Sequence, residues 1–286
     1  MPSHNLSRIQ LDDLELVGYS VAGEETVIAL PQLDVCFDVG KAPDQIISVN
    51  HVLLTHGHMD HAAGFAYYLS QRNFCGLPAG TILAPPNLIR PMQEIVNSWG
   101  RLDGNRIPAK LVGVKPGDEY QIKPNLFARA FPTKHTAGSV GFTVLEKRKK
   151  LKPEYAGLTG PQLVELKKQG IQIDNPLEVP IVTYFGDTQY VDFAQLDYVV
   201  KSRILIAECT FYEDEHVSRA NAGRHMHVDE FASLVERLEN EYIIISHLTQ
   251  RTPMREVRKM LHKSLPADIH DKIIILMDRK WRQPRR

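Results

Sequence analysis

Short β-branched or apolar runs recur along the whole chain, and they restrict its fold more than any other feature. Such runs predict β-strands; they cover residues 14–21, 26–30, 35–37, 52–54, 81–84, 126–131, 141–145, 182–185, 204–207, 242–245 and 273–277. Helical spacing of apolar residues predicts helices over residues 62–69, 87–99, 228–238 and 254–261. Hairpin-like successions open both halves of the chain, unlike the regular strand–helix alternation of a doubly wound sheet. We therefore expect an α/β sandwich built on mixed sheets.

Composition narrows the class of protein. The 286 residues, 43% of them hydrophobic, fit a single domain spanning residues 1–286 that carries an insertion. Because 34 Lys+Arg balance 34 Asp+Glu, a nucleic-acid partner would have to bind a local basic patch. The three scattered cysteines, Cys36, Cys75 and Cys209, predict a reducing compartment, which we take to be the cytoplasm. The N-terminal sequence predicts no signal peptide, and the longest apolar runs are too short to span a membrane.

Residues 146–180 interrupt the strand pattern, and we interpret them as the insertion. Positive charge is concentrated near its start, at Lys147, Arg148, Lys149, Lys150 and Lys152. A solvated hairpin is the simplest alternative for such a charge run. A second basic patch, RKWRQPRR over residues 279–286, is more simply interpreted as a solubilising tail.

The most informative stretch is LLTHGHMDHAAG, residues 53–64, where an apolar strand leads into His56, His58, Asp60 and His61. Imidazole and carboxylate are ligands that zinc accepts, and residues two apart at a strand end can share a side. The side chains of Asp60 and His61, at the turn into a helix, point in another direction and could bind a second ion. The motif therefore predicts two metals, with a surface loop as the alternative.

Three further candidate ligands also follow apolar strands. His135 follows ARAFPTK, Asp187 follows VTYFG and His247 follows YIIIS. We expect one ion to be bound by His56, His58 and His135 and a second by Asp60, His61 and His247, with Asp187 as the bridge. Any one of these residues alone would more often be structural, whereas the complete set predicts a two-metal site.

The ordered motifs THGHMDH, KHTAGSVGF, FGDT, ECTF, RHMH and SHLTQR resemble the metallo-β-lactamase fold and, within it, ribonuclease Z, the tRNA 3′-end-processing endonuclease. The element HxHxDH alone would indicate only the superfamily, and the later motifs narrow the resemblance. It implies an αββα sandwich with a short basic exosite insertion. The implied activity is zinc-dependent removal of the 3′ trailer of precursor tRNA, leaving a 3′-hydroxyl on the tRNA. The implied cofactors are two Zn²⁺ per subunit, with Mn²⁺ or Fe²⁺ as alternatives; a homodimer is expected, without a nucleotide cofactor or membrane attachment.

The resemblance also implies a role for each matching residue. The zinc ligands are the seven residues already named, Asp38 of FDVG supports them, and Asp60 doubles as the base on the attacking water. Glu208 of ECTF and His225 of RHMH deliver a proton to the departing ribose oxygen, and Arg251 contacts a phosphate. The basic run with the following YAGLTG resembles a short form of the exosite that grips the tRNA elbow.

The chemistry is consistent with these assignments. Hydrolysis of a phosphodiester needs a nucleophile, neutralisation of phosphate charge and a proton for the leaving alkoxide. Metal ions can supply the first two, and a Glu–His pair can supply the third.

Three departures from the family pattern bear on these expectations. His227 of RHMH stands where many members have threonine and competes with His225 for the acid role; we favour His225. Thr252 replaces an aromatic residue after Arg251, and GKAPDQ at residues 40–45 replaces a Gly-Glu-Gly-Thr turn. The short insertion is similar to that of a plant-like subgroup.

Two alternative functions remain open from the sequence. A hydrolase of small phosphodiesters, such as cyclic nucleotides, would use the same metal site without a basic arm. A catalytically silent RNA-binding module would have no use for seven metal ligands.

Overall fold

The computed structural model describes residues 6–278; the basic C-terminal patch at residues 279–286 lies outside the described residues. Fourteen strands in this range form two seven-stranded mixed sheets, and in each sheet the spatial order of the strands is their order in the chain. In both sheets the first four strands are antiparallel and the last four, counting the shared fourth strand, are parallel. The two halves of the chain therefore share one topology.

The first sheet contains the N-terminal half of the chain. Its strands are β1 (Ser7–Leu11), β2 (Leu14–Val21), β3 (Glu25–Leu30), β4 (Val35–Phe37), β5 (His51–Leu53), β6 (Thr81–Ala84) and β7 (Lys110–Gly113). Helices α1 (Met59–Ala62), α2 (Phe65–Phe74) and α3 (Pro86–Asp103) follow β5 and β6.

The second sheet contains the C-terminal half. Its strands are β8 (Glu119–Lys123), β9 (Leu126–Pro132), β10 (Val140–Leu151), β11 (Asp174–Tyr184), β12 (Ile204–Glu208), β13 (Tyr242–Ser246) and β14 (Ile273–Ile275). The helices of this half are α4 (Gly160–Lys168), α5 (Asp197–Val200), α6 (Val217–Gly223), α7 (Val228–Val235) and α8 (Met254–Ser264).

The core has three parts, which give the fold four layers. Apolar side chains from the facing surfaces of the two sheets pack between them, among them Phe37, Phe142 and Ile206. The outer face of the first sheet packs on α2 and α3, and the outer face of the second packs on α7 and α8. Alternate residues of β12 enter different parts of the core, so this strand is apolar throughout. The predicted αββα sandwich is confirmed.

Each predicted apolar run lies in or overlaps a strand, and each predicted helical stretch overlaps a helix. The strands without a predicted counterpart are β1, β7 and β8, and all three are edge strands. An edge strand pairs on one side only and tolerates polar residues, which weakens its apolar pattern. Among residues 6–278, no helix is both long enough and apolar enough to cross a bilayer.

The strand pattern does not stop at the insertion. β10 and β11 continue beyond the sheet as a two-stranded ribbon that pairs as far as Leu151 and Asp174. Helix α4, which begins with a capping box at Thr159, lies in the segment that joins the two strands. Polar residues on both faces of the ribbon explain why the apolar pattern ends before the backbone pairing does.

Candidate active site

The candidate ligands meet where strands of both sheets end. Asp38 follows β4, and the segment from His56 to His61 follows β5. In the second sheet, Asp187 follows β11 and His247 follows β13, while Glu208 is the last residue of β12. Because β11, β12 and β13 are parallel neighbours, their carboxyl ends lie side by side at one edge.

Asp187 is the centre of the cluster. Its Oδ2 lies 3.2 Å from Nε2 of His61 and 3.2 Å from Nε2 of His247. The same oxygen is 3.8 Å from Nε2 of His56 and 3.7 Å from Nε2 of His135. One carboxylate oxygen therefore faces imidazoles from both expected ligand groups, which is the position required of a bridging ligand.

The cluster contains two groups that match the sequence expectation, and the ligand atoms of Asp187, His225 and His247 form a third, overlapping group. Ligand atoms of His56, His58, His135 and Asp187 all lie within 4.8 Å of one another, and so do those of Asp60, His61 and His247. Within the second group, Asp60 Oδ2 lies 3.8 Å from His61 Nε2 and 3.6 Å from His247 Nε2. The structure thus brings all seven predicted ligands together.

Asp38 and Thr55 orient the histidines of the first sheet from behind. Asp38 Oδ2 lies 2.7 Å from Nδ1 of His61 and accepts a hydrogen bond from Tyr184 Oη at 2.8 Å. Its Oδ1 accepts from the Thr55 backbone N–H at 2.8 Å, and the Thr55 hydroxyl lies 2.9 Å from Nδ1 of His56. With Nδ1 engaged in this way, each imidazole directs Nε2 into the cluster.

The other two buried histidines are held through Nδ1 in the same manner. His247 Nδ1 lies 3.0 Å from Thr210 Oγ1, and His135 Nδ1 lies 3.2 Å from the carbonyl oxygen of Arg224. Arg224 also donates from Nη1 to the His135 carbonyl oxygen at 2.7 Å. Four of the five histidine ligands therefore have an Nδ1 partner that orients the ring.

Left-handed backbone occurs at three positions of this site. Asp38 and His247 have φ angles of 52° and 54°, and Gly186, just before Asp187, has a φ of 63°. A Cβ on Gly186 would lie 2.8 Å from the Thr55 side chain. Non-glycine residues adopt this region at an energetic cost, and the turns direct the side chains of Asp38 and His247 inward.

Burial and close packing of opposite charges shift the pKa values of the site. Burial alone would raise the pKa of Asp187, but electrostatic attraction to His247 and His61 lowers it well below its usual range. Burial alone would lower the pKa of His61, but the carboxylates of Asp187 and Asp38 raise it well above the usual range. Burial and the charge of His61 lower the pKa of His56. The cluster thus favours an ionised Asp187 and a neutral His56, the protonation states of metal ligands, whereas His61 would have to release a proton to bind a cation.

The donor set fits divalent cations. Within residues 6–278, His56 Nε2, His61 Nε2, His247 Nε2 and Asp187 Oδ1 are buried without a hydrogen-bond partner. Nε2 of His135 and Nδ1 of His58 face each other at 3.0 Å. Unpartnered buried polar atoms are costly, and their convergence on one point is the arrangement that a cation would satisfy.

The buried Glu208 and the half-buried His225 form a pair beside the ligand cluster. The two carboxylate oxygens lie 3.0 and 3.1 Å from His225 Nδ1, and they also accept from Thr188 N, Met226 N and Thr210 Oγ1. Burial alone would lower the pKa of His225, but the charge and hydrogen bond of Glu208 raise it to about 9. The His225 ring stacks on His247, with centroids 4.9 Å apart.

His227 has different surroundings. It is the N-cap residue of α7, where Nδ1 accepts from the Asp229 backbone N–H at 3.4 Å, and its Nε2 lies 3.3 Å from the Glu213 carbonyl oxygen. Both ring nitrogens thus have local partners. Of the two competing imidazoles, only His225 contacts Glu208 and packs against the ligand histidines.

Arg251 lies in the loop after β13 with an exposed side chain. Thr252, which stands where the family pattern has an aromatic residue, is buried, and its hydroxyl donates to the Glu213 carboxylate at 2.7 and 2.9 Å. Hydrogen bonds from Thr252 and His216 lower the pKa of Glu213, outweighing the effect of burial.

The basic run of the ribbon is partly neutralised. Lys147 Nζ lies 2.5 Å from Glu119 and 3.7 Å from Glu178, and Arg148 pairs with Glu146 at 2.5 Å. Lys149 and Lys150 are exposed and Lys152 is half-buried; none of these three forms an ion pair within residues 6–278. The free positive charge of the ribbon therefore lies toward its tip.

Sequence reasoning missed several residues that orient the site. Thr55, Thr188 and Thr210 each lie in a motif that was recognised for its neighbours, so a signal was present. Arg224 precedes the recognised His225. Gly23, whose N–H donates to Asp60 Oδ2 at 2.9 Å, lies in a turn that carried no signal.

The fold and the site define the class of protein. A family model described as a beta-lactamase superfamily domain matches residues 33–248. The metallo-beta-lactamase fold protein YhfI from Bacillus subtilis covers 90% of this chain and 93% of its own, with a TM-score of 0.63 and 15% identity. Human tRNase Z, short form, has a TM-score of 0.57 at 15% identity, covering 81% of this chain and 91% of its own. The fold is that of the metallo-β-lactamase superfamily.

Closer relatives are found by sequence. The protein named tRNase Z TRZ1 from Arabidopsis thaliana is 30% identical over 272 residues, which cover 94% of this chain and 96% of that protein. The chloroplastic tRNase Z TRZ2 from the same plant is 27% identical and covers 96% of this chain and 78% of its own. The chain therefore belongs to the ribonuclease Z family, as the motifs predict.

Proposed function

We propose that this protein is a metal-dependent hydrolase, an endoribonuclease that removes the 3′ trailer of precursor tRNA and leaves a 3′-hydroxyl on the tRNA. The observation that carries the proposal is the convergence of seven metal-type ligands beside the hydrogen-bonded Glu208–His225 pair. The names of the relatives support tRNA as the substrate.

The cations that we propose for the site are two Zn²⁺, with Mn²⁺ or Fe²⁺ as alternatives. His56, His58 and His135 would hold one and Asp60, His61 and His247 the other, with Asp187 shared. When bound, such ions activate water and neutralise phosphate charge. Asp60 is proposed to accept a proton from water, and the hydrogen bond from the Gly23 N–H to its Oδ2 supports this role by orienting the carboxylate.

His225 is the proposed proton donor to the leaving ribose oxygen. Its Nδ1 is held by Glu208, which leaves Nε2 as the nitrogen that gives up the proton. The raised pKa keeps the imidazole protonated near neutral pH. Arg251 is proposed to contact a substrate phosphate through its exposed guanidinium.

The ribbon within residues 146–180 is proposed as the RNA-gripping arm of a single domain. Lys149, Lys150 and Lys152 supply its free charge, whereas Lys147 and Arg148 act partly through ion pairs within the protein. A local patch of this kind reconciles RNA binding with a net charge of zero.

We also propose a homodimer formed through α3. An apolar stripe on this helix, Ile95, Trp99 and Leu102, is 44%, 54% and 77% exposed. Around a two-fold axis near Ser98, antiparallel α3 helices would place Glu94 opposite Arg101 of the partner. The patch is thus self-complementary in apolar surface, while the pair across the axis would compete with the contact of Arg90 Nε with Glu94 Oε1, 2.9 Å, within each helix.

The cytoplasm is the proposed compartment. Cys36, Cys75 and Cys209 are free thiols, consistent with a reducing environment. Imaging of a fluorescent fusion would test the location.

The decisive experiment is a zinc-supplemented cleavage assay on precursor tRNA with a 3′ extension, with the new end mapped and a small chromogenic phosphodiester assayed in parallel. We expect one cut next to the discriminator base, and high salt should suppress it because phosphate contacts release counterions. Turnover of only the small diester would instead indicate a phosphodiesterase of small substrates. RNA binding without hydrolysis of either substrate would indicate a binding module.

A further inference from the structure

The loop at residues 248–252 presents Arg251 in an unusual way. The Arg251 side chain is exposed, and its guanidinium has no hydrogen-bonding or ionic partner within residues 6–278. Its backbone N–H donates to Thr249 Oγ1 at 3.2 Å. The charge is thus available to a ligand, while the backbone on either side is fixed.

Gln250, on the N-terminal side of Arg251, is tied to the turn between β2 and β3. Its Nε2 donates to Glu24 Oε2 at 2.8 Å, and Tyr19 Oη donates to Glu24 Oε1 at the same distance. A backbone hydrogen bond from Ala22 N to the Leu248 carbonyl oxygen, 3.0 Å, reinforces this connection. Tyr19 therefore orients the Glu24 carboxylate, which in turn binds the side chain of Gln250.

Thr252, on the C-terminal side, is tied to the segment between β12 and α6. Its hydroxyl donates to Glu213, and His216 Nδ1 lies 2.6 Å from Glu213 Oε2. The Glu213 backbone carbonyl oxygen also lies 3.3 Å from Nε2 of His227. A second carboxylate, from the other sheet, thus holds the other neighbour of Arg251.

We propose that Glu24 and Glu213 are positioning residues for Arg251, fixing its backbone from both sides so that its guanidinium meets a phosphate of the substrate. This inference rests on the proposed function, because the ligand of Arg251 is the RNA backbone. A long cationic side chain loses much conformational freedom on binding, and an ordered backbone reduces that loss.

The test is a double-mutant cycle measured by cleavage of precursor tRNA. Thr252→Val removes the hydroxyl at nearly constant shape, and we expect kcat/KM to fall about tenfold, the size typical of losing a hydrogen bond to a charged group. In an Arg251→Ala background, the same substitution should have no further effect. Bound metal, measured by mass spectrometry, should be unchanged.

Matched variants separate positioning from folding. Glu213→Ala, which removes both acceptor oxygens, should reproduce the loss. Glu215→Ala, which removes an 82% exposed carboxylate that lies 3.8 Å from His216 Nε2, should leave kcat/KM unchanged. Thr252→Ser keeps the hydroxyl and should restore activity if Thr252→Val fails to fold. Gln250→Leu should lower kcat/KM only when Arg251 is present.

The possible results are distinct. If Thr252→Val costs as much without Arg251 as with it, or if thermal stability falls in proportion to activity, the carboxylates serve the fold and the inference is wrong. If the wild-type protein does not cleave precursor tRNA, the proposed function fails and the inference fails with it. Cleavage by the wild type with non-additive losses supports both.

Discussion

Asp187 combines complete burial with contacts to both groups of imidazoles. We expect Asp187→Ala to lose bound metal and activity together, because the substitution removes the shared ligand and leaves the histidines without their counter-charge. Metal content by mass spectrometry and cleavage rate, measured on the same preparation, test this.

Substitution of His225 should have a different effect from that of Asp187→Ala. It contacts Glu208 through Nδ1 and lies outside the proposed ligand set, so His225→Ala should keep its metal and lose about 100-fold or more in turnover, as expected for loss of a general acid. Loss of metal from this variant would show that the division of roles between ligands and acid is wrong.

Thr210 links the acid pair to a proposed ligand. Its hydroxyl donates to Glu208 at 2.6 Å and lies 3.0 Å from His247 Nδ1. We expect Thr210→Val to weaken metal binding about tenfold or more, the usual effect of removing a partner of a ligating histidine. Thr210→Ser keeps the hydroxyl and is the control; competition with a chromogenic chelator gives the affinities. Equal affinities for the Val and Ser variants would contradict the proposed link.

At the scale of elements, the ribbon of β10 and β11 carries two kinds of lysine. Lys147 forms ion pairs within the protein, whereas Lys149 and Lys150 form none within residues 6–278. Lys149→Ala with Lys150→Ala should weaken precursor-tRNA binding and reduce the slope of log affinity against log salt by about 1 to 2, since each phosphate contact contributes about one unit. Binding titrations at several salt concentrations measure the slope.

Lys147→Ala is the matched control within the same strand. Lys147 already pairs with Glu119 and Glu178, so its loss should lower the melting temperature slightly while leaving the salt slope unchanged. If the two kinds of variant change the slope equally, the distinction between paired and free lysines carries no functional meaning.

At the scale of the whole molecule, the proposed dimer can be tested at helix α3. Trp99→Glu would place a charge at the centre of the α3 stripe, and we expect the dimer dissociation constant to rise about 30-fold or more, as for loss of an aromatic hot spot. Sedimentation velocity over a range of concentrations measures this change.

Val164→Glu is the control for that substitution. Val164 is 52% exposed on α4, away from the stripe, so the same change of chemistry should leave association unaltered. A wild-type protein that sediments as a monomer at all concentrations would exclude the proposed dimer.

The sequence by itself determined which seven residues are candidate metal ligands and what kind of fold holds them. The HxHxDH element and the later ligands each follow an apolar run, and apolar runs reflect burial, which is a local property of the strand. Three of the four edge strands among residues 6–278 and the polar ribbon escaped prediction because their backbone pairing is satisfied without apolar side chains.

Only the tertiary structure decided how these residues are related to one another. The assignment of His225 rather than His227 to Glu208, the pairing of Lys147 with Glu119 and the tethers on either side of Arg251 all join residues distant in the chain. Hydrogen bonds and ion pairs depend on distances of a few ångströms between side chains from different elements. Those distances are fixed by the packing of the two sheets, and no local pattern in the sequence encodes them.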